Sequence, residues 1–197
     1  MSDKTVEFFF DVGSPTTYLA YTQLPRMATE RGAQIAWRPM LLGGVFKATG
    51  NASPVMVPAK GRWMWDDMAR WAQRYGVPLA VNPHFPINTL TLMRIAAGLQ
   101  LKRPGDFDRY LVLVFRAMWA ESRNLGDAEV LAGCLREGGL DPTALLALAA
   151  DAEVKAALIA NTEEAVARGV FGAPCFFVGE RMFFGQDRLD FVREALA

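Results

Sequence analysis

Ser14 is the residue of this sequence that is best placed to do chemistry. It follows a short apolar run, Val6 to Phe10, whose length and aromatic content are typical of a β-strand. Gly13 breaks that strand, and Pro15 suits the first helical position, where a missing N–H costs nothing. Ser14 is therefore predicted to lie where a strand end meets a helix N-terminus, which stabilises a bound anion. The stretch taken alone favours a plainer role, in which Ser14 only caps the helix.

Other common catalytic arrangements have little support in the sequence. The only histidine is His84, and the Gly-x-Ser-x-Gly pattern of many serine hydrolases is absent around Ser14. The two cysteines, Cys134 and Cys175, are too few for a zinc site or a disulfide framework. We therefore predict no metal centre, and such sparse cysteine usage fits a reducing cytoplasm.

The composition describes a globular protein with no charge bias. Apolar residues make up 52% and charged residues 21% of 197 residues, enough to bury a core in one domain. Lysine plus arginine equals aspartate plus glutamate at 21 each, so no basic surface for nucleic acid or an anionic membrane is expected. No apolar run reaches the roughly 18 residues of a membrane span, and no signal-peptide pattern is visible. We expect a cytoplasmic protein that binds neither nucleic acid nor membranes.

The order of predicted elements is β-α-β, a helical block, and then β-β-α. A helix over 15–32 joins the first strand to a second at 34–38, and such a crossover implies a parallel pair. Glycine and proline make 41–59 a predicted long loop, and residues 60–168 show only helical periods. Residues 175–178 and 181–184 form a predicted hairpin around a Gly-Glu turn, before a closing helix.

This order is that of an α/β thioredoxin-like fold with an all-helical insertion between its halves. The predicted domains are a thioredoxin-like domain, 1–59 with 169–197, and an inserted helical domain, 60–168. Thioredoxin-type oxidoreductases carry Cys-x-x-Cys where the first helix begins. This chain has Ser14-Pro15-Thr16-Thr17 there, which excludes disulfide exchange at that place. A hydroxyl at a helix N-terminus suits a thiolate brought in from outside, whose pKa it would lower.

Six motifs in order along nearly the whole chain resemble one family. The chain is similar to kappa-class glutathione transferases and, more closely, to bacterial 2-hydroxychromene-2-carboxylate isomerases, within the DsbA-like branch of thioredoxin folds. The matching motifs are Phe-Asp-x-Gly-Ser-Pro-x-x-Tyr-Leu-Ala at 10–20, Arg-Pro-x-Leu-Leu-Gly-Gly-Val-Phe-Lys-x-x-Gly-Asn at 38–51, Val-Pro-x-Lys at 57–60, Pro-Ile-Asn-Thr-Leu at 86–90, Gly-Val-Phe-Gly-x-Pro at 169–174 and Phe-Gly-x-Asp-Arg at 184–188.

The resemblance implies a glutathione site with Ser14 at its centre. Ser14 matches the serine that contacts the glutathione sulfur, which makes it the implied catalytic residue. Asn51 and Lys60 match polar residues of the glutathione site in the kappa class.

The C-terminal half of the implied site has four residues. Ala173 matches the residue before a cis-proline, here Pro174, whose backbone pairs with the tripeptide like an added strand. Gln186 and Asp187 match the pair that holds the γ-glutamyl end, although Asp187 also suits a plain helix-terminal carboxylate. Cys175 departs from what the family carries after this proline, and we expect it to be a small buried hydrophobe.

The implied activity is a glutathione-dependent isomerisation in aromatic-compound degradation, such as naphthalene catabolism. Glutathione thiolate would add to an unsaturated carbon of 2-hydroxychromene-2-carboxylate, allow rotation, and leave again, giving trans-o-hydroxybenzylidenepyruvate and unconsumed glutathione. Two alternatives stay open: a kappa-class transferase that releases a conjugate, and a glutathione-binding module without catalysis. The resemblance also implies a homodimer.

The aromatic substrate needs an apolar slot, whose lining the sequence does not identify. The candidate wall residues are Trp37, Trp63, Trp65, Phe85 and Trp119. For any one of them a core position is the more common role.

Overall fold

The computed structural model describes residues 4–197, which contain one four-stranded sheet. The strands are β1 (Thr5–Phe10), β2 (Gln34–Pro39), β3 (Cys175–Val178) and β4 (Arg181–Phe184), in the spatial order β2-β1-β3-β4. β1 and β2 are parallel, whereas β3 runs antiparallel to both β1 and β4. The predicted β-α-β start and β-hairpin end are therefore confirmed.

The helices follow the capping signals of the sequence. Asp127, Asp141 and Asp151 accept backbone N–H groups at the starts of three of them. No helix within residues 4–197 is long and apolar enough to cross a membrane. The helices are α1 (Pro15–Arg31), α2 (Leu42–Thr49), α3 (Pro58–Tyr75), α4 (Leu90–Lys102), α5 (Phe107–Trp119), α6 (Ala128–Glu137), α7 (Pro142–Ala150), α8 (Ala152–Ala167) and α9 (Leu189–Ala195).

The prediction of a long loop over 41–59 was wrong. Its first part is helix α2, and its last two residues already belong to α3. Glycine disfavours a free helix, but here it allows close packing: a Cβ on Gly44 would lie 3.1 Å from Cγ2 of Thr162 on α8. The Thr162 hydroxyl also accepts the Leu41 N–H at 2.9 Å, just before α2 begins. Contact with α8 therefore stabilises a helix that local propensity does not favour.

The main hydrophobic core joins the sheet to the helical block. Phe8 of β1 stacks on Phe176 of β3 at 5.1 Å between ring centroids, and Tyr21 of α1 stacks on Phe115 of α5 at 4.6 Å. Fully buried Trp119 of α5 belongs to the same cluster. This core continues across residues 60 and 168, and the division into two domains stays a prediction.

A second, smaller core lies on the other face of the sheet, because successive strand residues point to opposite faces. It contains Phe9, Met40, Val45 and Cys175.

An ion-pair group lies at the edge of the smaller core. We call it the Glu7 cluster, and it consists of Glu7, Arg38, Glu164 and Arg168. Arg168 donates to both carboxylate oxygens of Glu7, at 2.7 and 3.0 Å, and Arg38 donates to Glu164. The cluster ties β1 and β2 to α8.

Candidate active site

Ser14 lies at the junction of β1 and α1, as the sequence predicts. Its backbone is extended, and its hydroxyl oxygen accepts the Thr17 N–H at 3.1 Å, so the capping role is real. Pro15 opens the helix, and the Ser14 side chain is almost fully buried. An anion at this point would meet the N-terminal end of a 17-residue helix.

The Ser14 hydroxyl also reaches a loop far along the chain. It lies 3.2 Å from the Ala173 carbonyl oxygen and 2.9 Å from the Thr16 hydroxyl, which donates to the same carbonyl at 3.1 Å. A hydroxyl has one proton and can redirect it to a new acceptor by rotation. Thr16 can keep the Ala173 carbonyl satisfied while Ser14 turns away. We call Ser14, Thr16, Ala173 and Pro174 the Ser14 junction.

The peptide bond between Ala173 and Pro174 is cis, which confirms what the resemblance implied. A second cis bond, Phe85-Pro86, was not anticipated. Within residues 4–197 the Ala173 backbone N–H has no acceptor. A free N–H beside the Ser14 hydroxyl is suited to pairing with an extended peptide.

Gln186 and Asp187 lie next to this loop. They begin a short 3-10 helix, Gln186–Arg188. The preceding residue, Gly185, donates its N–H to the Pro174 carbonyl at 3.0 Å. The Gln186 carbonyl accepts the Tyr75 hydroxyl at 3.0 Å; burial first, and then Asp190, raises the pKa of Tyr75 to about 12.

Asp187 lies in the first turn of the 3-10 helix, as expected of a helix-terminal carboxylate, but its side chain forms no capping hydrogen bond. No side chain caps the 3-10 helix or α9, and the Asp187 carboxylate pairs with Arg188 at 2.5 Å. The backbone N–H groups of Gln186 and Asp187 have no acceptors within residues 4–197. Two adjacent free donors of this kind suit a carboxylate.

Asn51 and Lys60 differ in how they relate to the Ser14 junction. The Asn51 amide donates to the Phe171 carbonyl at 2.7 Å, which ties the end of α2 to the loop that carries Ala173. Lys60 is exposed in the first turn of α3, and no described contact joins it to Asn51 or Ser14. Nor does its ammonium group pair with a carboxylate of the described chain.

Cys175 is fully buried in the smaller core, as expected. Desolvation raises the pKa of its thiol to about 12, so it carries no thiolate near neutral pH. The place of a second redox cysteine is taken by Thr17, whose buried hydroxyl has no hydrogen-bond partner among the described residues. No cysteine thiol is thus available at the Ser14 junction.

Three of the five candidate wall residues form an aromatic cluster beside the loop that precedes Ser14. Ring centroids of Trp65, Phe85 and Trp119 lie 5.5 to 6.4 Å apart. The Trp119 indole N–H donates to the carbonyl of Val12, two residues before Ser14, at 2.8 Å.

The other two candidate wall residues lie outside this aromatic cluster. Trp37 packs against Phe8 and Phe10 on the sheet, and Trp63 is 63% exposed on α3.

Sequence reasoning missed two residues near Ser14. In the sequence, Thr16 stands out only as part of the Ser-Pro-Thr-Thr segment, and Asp11 only as one position of the first motif. Asp11 is nevertheless fully buried and bonds three different segments. An acidic residue directly after an apolar strand is the signal that could have drawn attention to it.

Comparison with known proteins places the chain in one family. A family model described as a DSBA-like thioredoxin domain matches residues 5–197. A protein of Sphingobium xenophagum named 2-hydroxychromene-2-carboxylate isomerase is 33% identical over 196 residues, which cover 98% of each chain. Glutathione S-transferase kappa 1 of Homo sapiens is 26% identical over 209 residues, covering 98% of this chain and 91% of that protein. The resemblance drawn from the motifs is confirmed.

Solved structures are consistent with this family assignment. The structure of a selenomethionine 2-hydroxychromene-2-carboxylate isomerase superposes with a TM-score of 0.84 at 29% identity, covering 98% of this chain and 94% of the other. A probable DsbA oxidoreductase from Streptomyces coelicolor has a TM-score of 0.73 at 19% identity, covering 98% and 88%, and supports the fold alone.

Proposed function

Because the chain belongs to the family of DSBA-like thioredoxin domains, we propose that it is a glutathione-dependent isomerase of 2-hydroxychromene-2-carboxylate or a closely similar aromatic acid. The observation that carries the proposal is the Ser14 junction: a redirectable hydroxyl at a helix N-terminus, 3.2 Å from the backbone of a residue whose N–H is free. A relative named as an isomerase is 33% identical over 98% of the chain, against 31% for a kappa-class transferase, and a solved isomerase structure superposes with a TM-score of 0.84; these two findings favour isomerisation over conjugation.

The described residues fit a thiol tripeptide. The free Ala173 N–H can pair with its central residue in the manner of an added strand. The free N–H groups of Gln186 and Asp187 can take the γ-glutamyl carboxylate, and the Asp187 carboxylate can take the neighbouring ammonium. When bound, glutathione supplies a thiolate that adds reversibly to the unsaturated acid.

Ser14 has the central role in this proposal. Its hydroxyl turns from the Ala173 carbonyl and donates to the sulfur, while Thr16 keeps the carbonyl hydrogen-bonded. The N-terminus of α1 adds its partial positive charge. Both effects favour the thiolate over the thiol and lower the pKa of the bound group.

The remaining predicted site residues either shape the site or bind the ligands directly. Asn51 holds the Phe171 carbonyl, so it fixes the loop that presents Ala173. Lys60 brings an unpaired positive charge, which suits a carboxylate of either glutathione or the substrate. Trp65 and Phe85 are half-buried against Trp119, which bonds the Val12 carbonyl, and they form one wall for the aromatic ring.

Incubation with glutathione and a panel of hydroxychromene carboxylates tests the proposal. Absorbance follows the aromatic acid, and free thiol is counted in the same sample. Substrate conversion with no loss of thiol is the expected result. Loss of one thiol per turnover would instead identify a kappa-type transferase, and calorimetric binding of glutathione without either change would identify a binding module.

The proposal includes a homodimer in the cytoplasm. Cys134 and Cys175 are both unpaired and buried, which supports a reducing compartment. Light scattering at the concentration of the activity assay measures the mass, and twice 21.7 kDa is expected.

A further inference from the structure

The three residues before Ser14 are held from outside the thioredoxin-like half. Val12 donates its N–H to the Met93 sulfur of α4 at 3.3 Å and accepts the Trp119 indole N–H of α5 at 2.8 Å. Asp11 accepts the Ser14 N–H on its own backbone carbonyl at 3.1 Å. The position of Ser14 therefore depends on two helices of the predicted insertion.

The Asp11 carboxylate connects this loop to two further elements. One oxygen accepts the Gly13 N–H at 2.8 Å. The other accepts the Leu42 N–H at the start of α2 at 2.8 Å and the Thr89 hydroxyl just before α4 at 3.0 Å. The side chain is fully buried, and a buried carboxylate is tolerated only with such partners.

The bonding pattern is specific for a carboxylate. Two of its three partners are backbone N–H groups, which can only donate, and they bind different oxygens. An amide in place of Asp11 has one acceptor oxygen and would turn its NH2 group toward one of these donors. Asparagine would keep the size of the side chain and lose one of its connections.

The loop has no spare room in which to adjust. A Cβ on Gly13 would lie 2.6 Å from Cγ2 of Thr89, so Thr89 is packed directly against the loop. A shift of Asp11 or Thr89 must then move the main chain that carries Ser14.

We infer that Asp11, through Gly13 and Thr89, is a positioning residue that directs the Ser14 hydroxyl at the incoming sulfur. The inference rests on the proposed function, in which Ser14 donates to glutathione. Hydrogen bonds lose strength steeply with angle, and displacements of about 1 Å at a catalytic group cost up to about a hundredfold in rate.

The charge of Asp11 alone would have the opposite effect. A nearby anion disfavours a second anion, so Asp11→Asn would lower the pKa of the bound thiol if charge were its whole role. Loss of positioning raises that pKa, because the thiolate loses a donor. Among the titratable groups, Tyr110 of α5 responds to the Asp11 charge: burial first, then Cys134 and Asp11, raise its pKa. The sign of the thiol shift separates the two roles.

The experiment titrates glutathione bound to Asp11→Asn by thiolate absorbance and measures kcat, KM and glutathione affinity. We expect the thiol pKa to rise by about one unit and turnover near neutral pH to fall about tenfold. Affinity should change by less than about threefold, because Ala173 and Gln186 are untouched. Leu145→Ala, which creates a cavity at a buried position of α7, is the control for lost stability and should leave the thiol pKa unchanged.

A double variant tests whether Asp11 acts through Ser14. In a Ser14→Ala background, Asp11→Asn should raise the thiol pKa no further. A thiol pKa that is unchanged or lowered in the single variant, or a full further rise in the double variant, overturns the inference. If wild type binds no glutathione thiolate, the proposed function fails and the inference fails with it, whereas an unaltered Asp11→Asn leaves the proposed function intact.

Thr89 provides the second route if Asp11→Asn does not fold. Thr89→Val keeps the shape and loses the hydroxyl bond to Asp11, so it should raise the thiol pKa in the same direction. Thr89→Ser keeps the hydroxyl and should restore the wild-type titration. Equal titration of both Thr89 variants and wild type would count against the inference.

Discussion

Two polar groups lie at opposite ends of β1, and they are built in different ways. The Glu7 cluster near the start of the strand consists of four charged side chains that form ion pairs with one another. The Ser14 junction after the strand consists of neutral hydroxyls and backbone groups, and its Ala173 N–H has no acceptor in the described part of the chain. Both carboxylates of the Glu7 cluster are hydrogen-bonded to arginines, and only Arg38 Nε lacks a hydrogen-bond partner among the described residues of the cluster. The Ser14 junction instead keeps a backbone N–H and a hydroxyl that can accept new partners.

Charge alone is therefore a poor guide to the position of a functional site. Cations of the Glu7 cluster also lie over aromatic faces, with Arg168 3.8 Å from the Phe177 ring centroid, so the cluster adds packing to its ion pairs. Ser14 and Ala173 have no such closure. We expect substitutions in the cluster to change stability and those in the junction to change chemistry.

The largest expected effect is that of Ser14→Ala on turnover. One hydrogen bond to a charged group contributes about 1.5–3 kcal/mol, so turnover near neutral pH should fall roughly ten- to hundredfold. The loss should shrink at higher pH, where the thiol ionises unaided. Loss of the cap should cost about 1 kcal/mol of stability.

Thr22→Val is the matched control, because it removes a hydroxyl of α1 that bonds the Leu19 carbonyl and leaves the Ser14 junction intact. Its turnover should stay within about threefold of wild type. A Ser14→Ala protein that titrates and turns over like wild type would reduce Ser14 to a helix cap.

Glu7→Gln should have the next largest effect, on stability and not on activity. The hydrogen bond from Arg168, ahead of the general attraction of Arg168 and Arg38, lowers the pKa of Glu7. A carboxyl whose folded pKa is lowered stabilises the fold above its unfolded pKa and loses that contribution as pH falls through the folded value. The variant should therefore cost about 1–2 kcal/mol at pH 7 and progressively less below about pH 4.

Denaturant unfolding at pH 7 and at pH 3 measures this change in the free energy of unfolding. Glu163→Gln removes the same charge from an exposed position of α8 that has no ion pair among the described residues. It should stay within about 0.5 kcal/mol at both pH values. A Glu7→Gln cost that is equal at pH 7 and pH 3 would contradict an ionic origin.

Asp187→Asn should have a smaller effect, confined to glutathione affinity. The carboxylate is 37% exposed and already paired with Arg188, so losing a contact to the α-ammonium should cost about 1 kcal/mol or less. The melting temperature should not change, because Asp187 caps no helix.

Calorimetric titration with glutathione and with an analogue that lacks the α-amino group separates the roles. Wild type should prefer glutathione, and Asp187→Asn should discriminate less between the two ligands. Asp190→Asn, an exposed acid in the first turn of α9, is the control and should discriminate like wild type. Equal discrimination by all three proteins would remove Asp187 from the site.

The smallest expected signal is that of disulfide chemistry, which should be absent. Ser14 and Thr17 occupy the places of redox cysteines, and the Cys175 thiol is buried with a pKa raised to about 12. Insulin reduction should stay at the background rate. Reduction above background that survives Cys134→Ser together with Cys175→Ser would contradict the alignment of the motifs.

Local sequence signals account for most of the elements and for the position of Ser14, although not for helix α2. Gly13, Ser14 and Pro15 specify a strand end followed by a helix start, and aromatic runs with a Gly-Glu turn specify the terminal hairpin. These signals are local, because strand length, capping and turn chemistry act within a few residues. The cis bond before Pro174 and the glutathione roles came from the family motifs, and composition or spacing alone did not indicate them.

The contacts of the Ser14 hydroxyl depend on the tertiary structure. Its hydroxyl contacts Ala173, 159 residues later, and Asp11 meets Thr89, 78 residues later. Tertiary packing against α8 likewise made α2 a helix where glycines predicted a loop. Pairings across such separations depend on how the whole chain packs, and a buried carboxylate or hydroxyl acquires its partner only when the core that excludes water has formed.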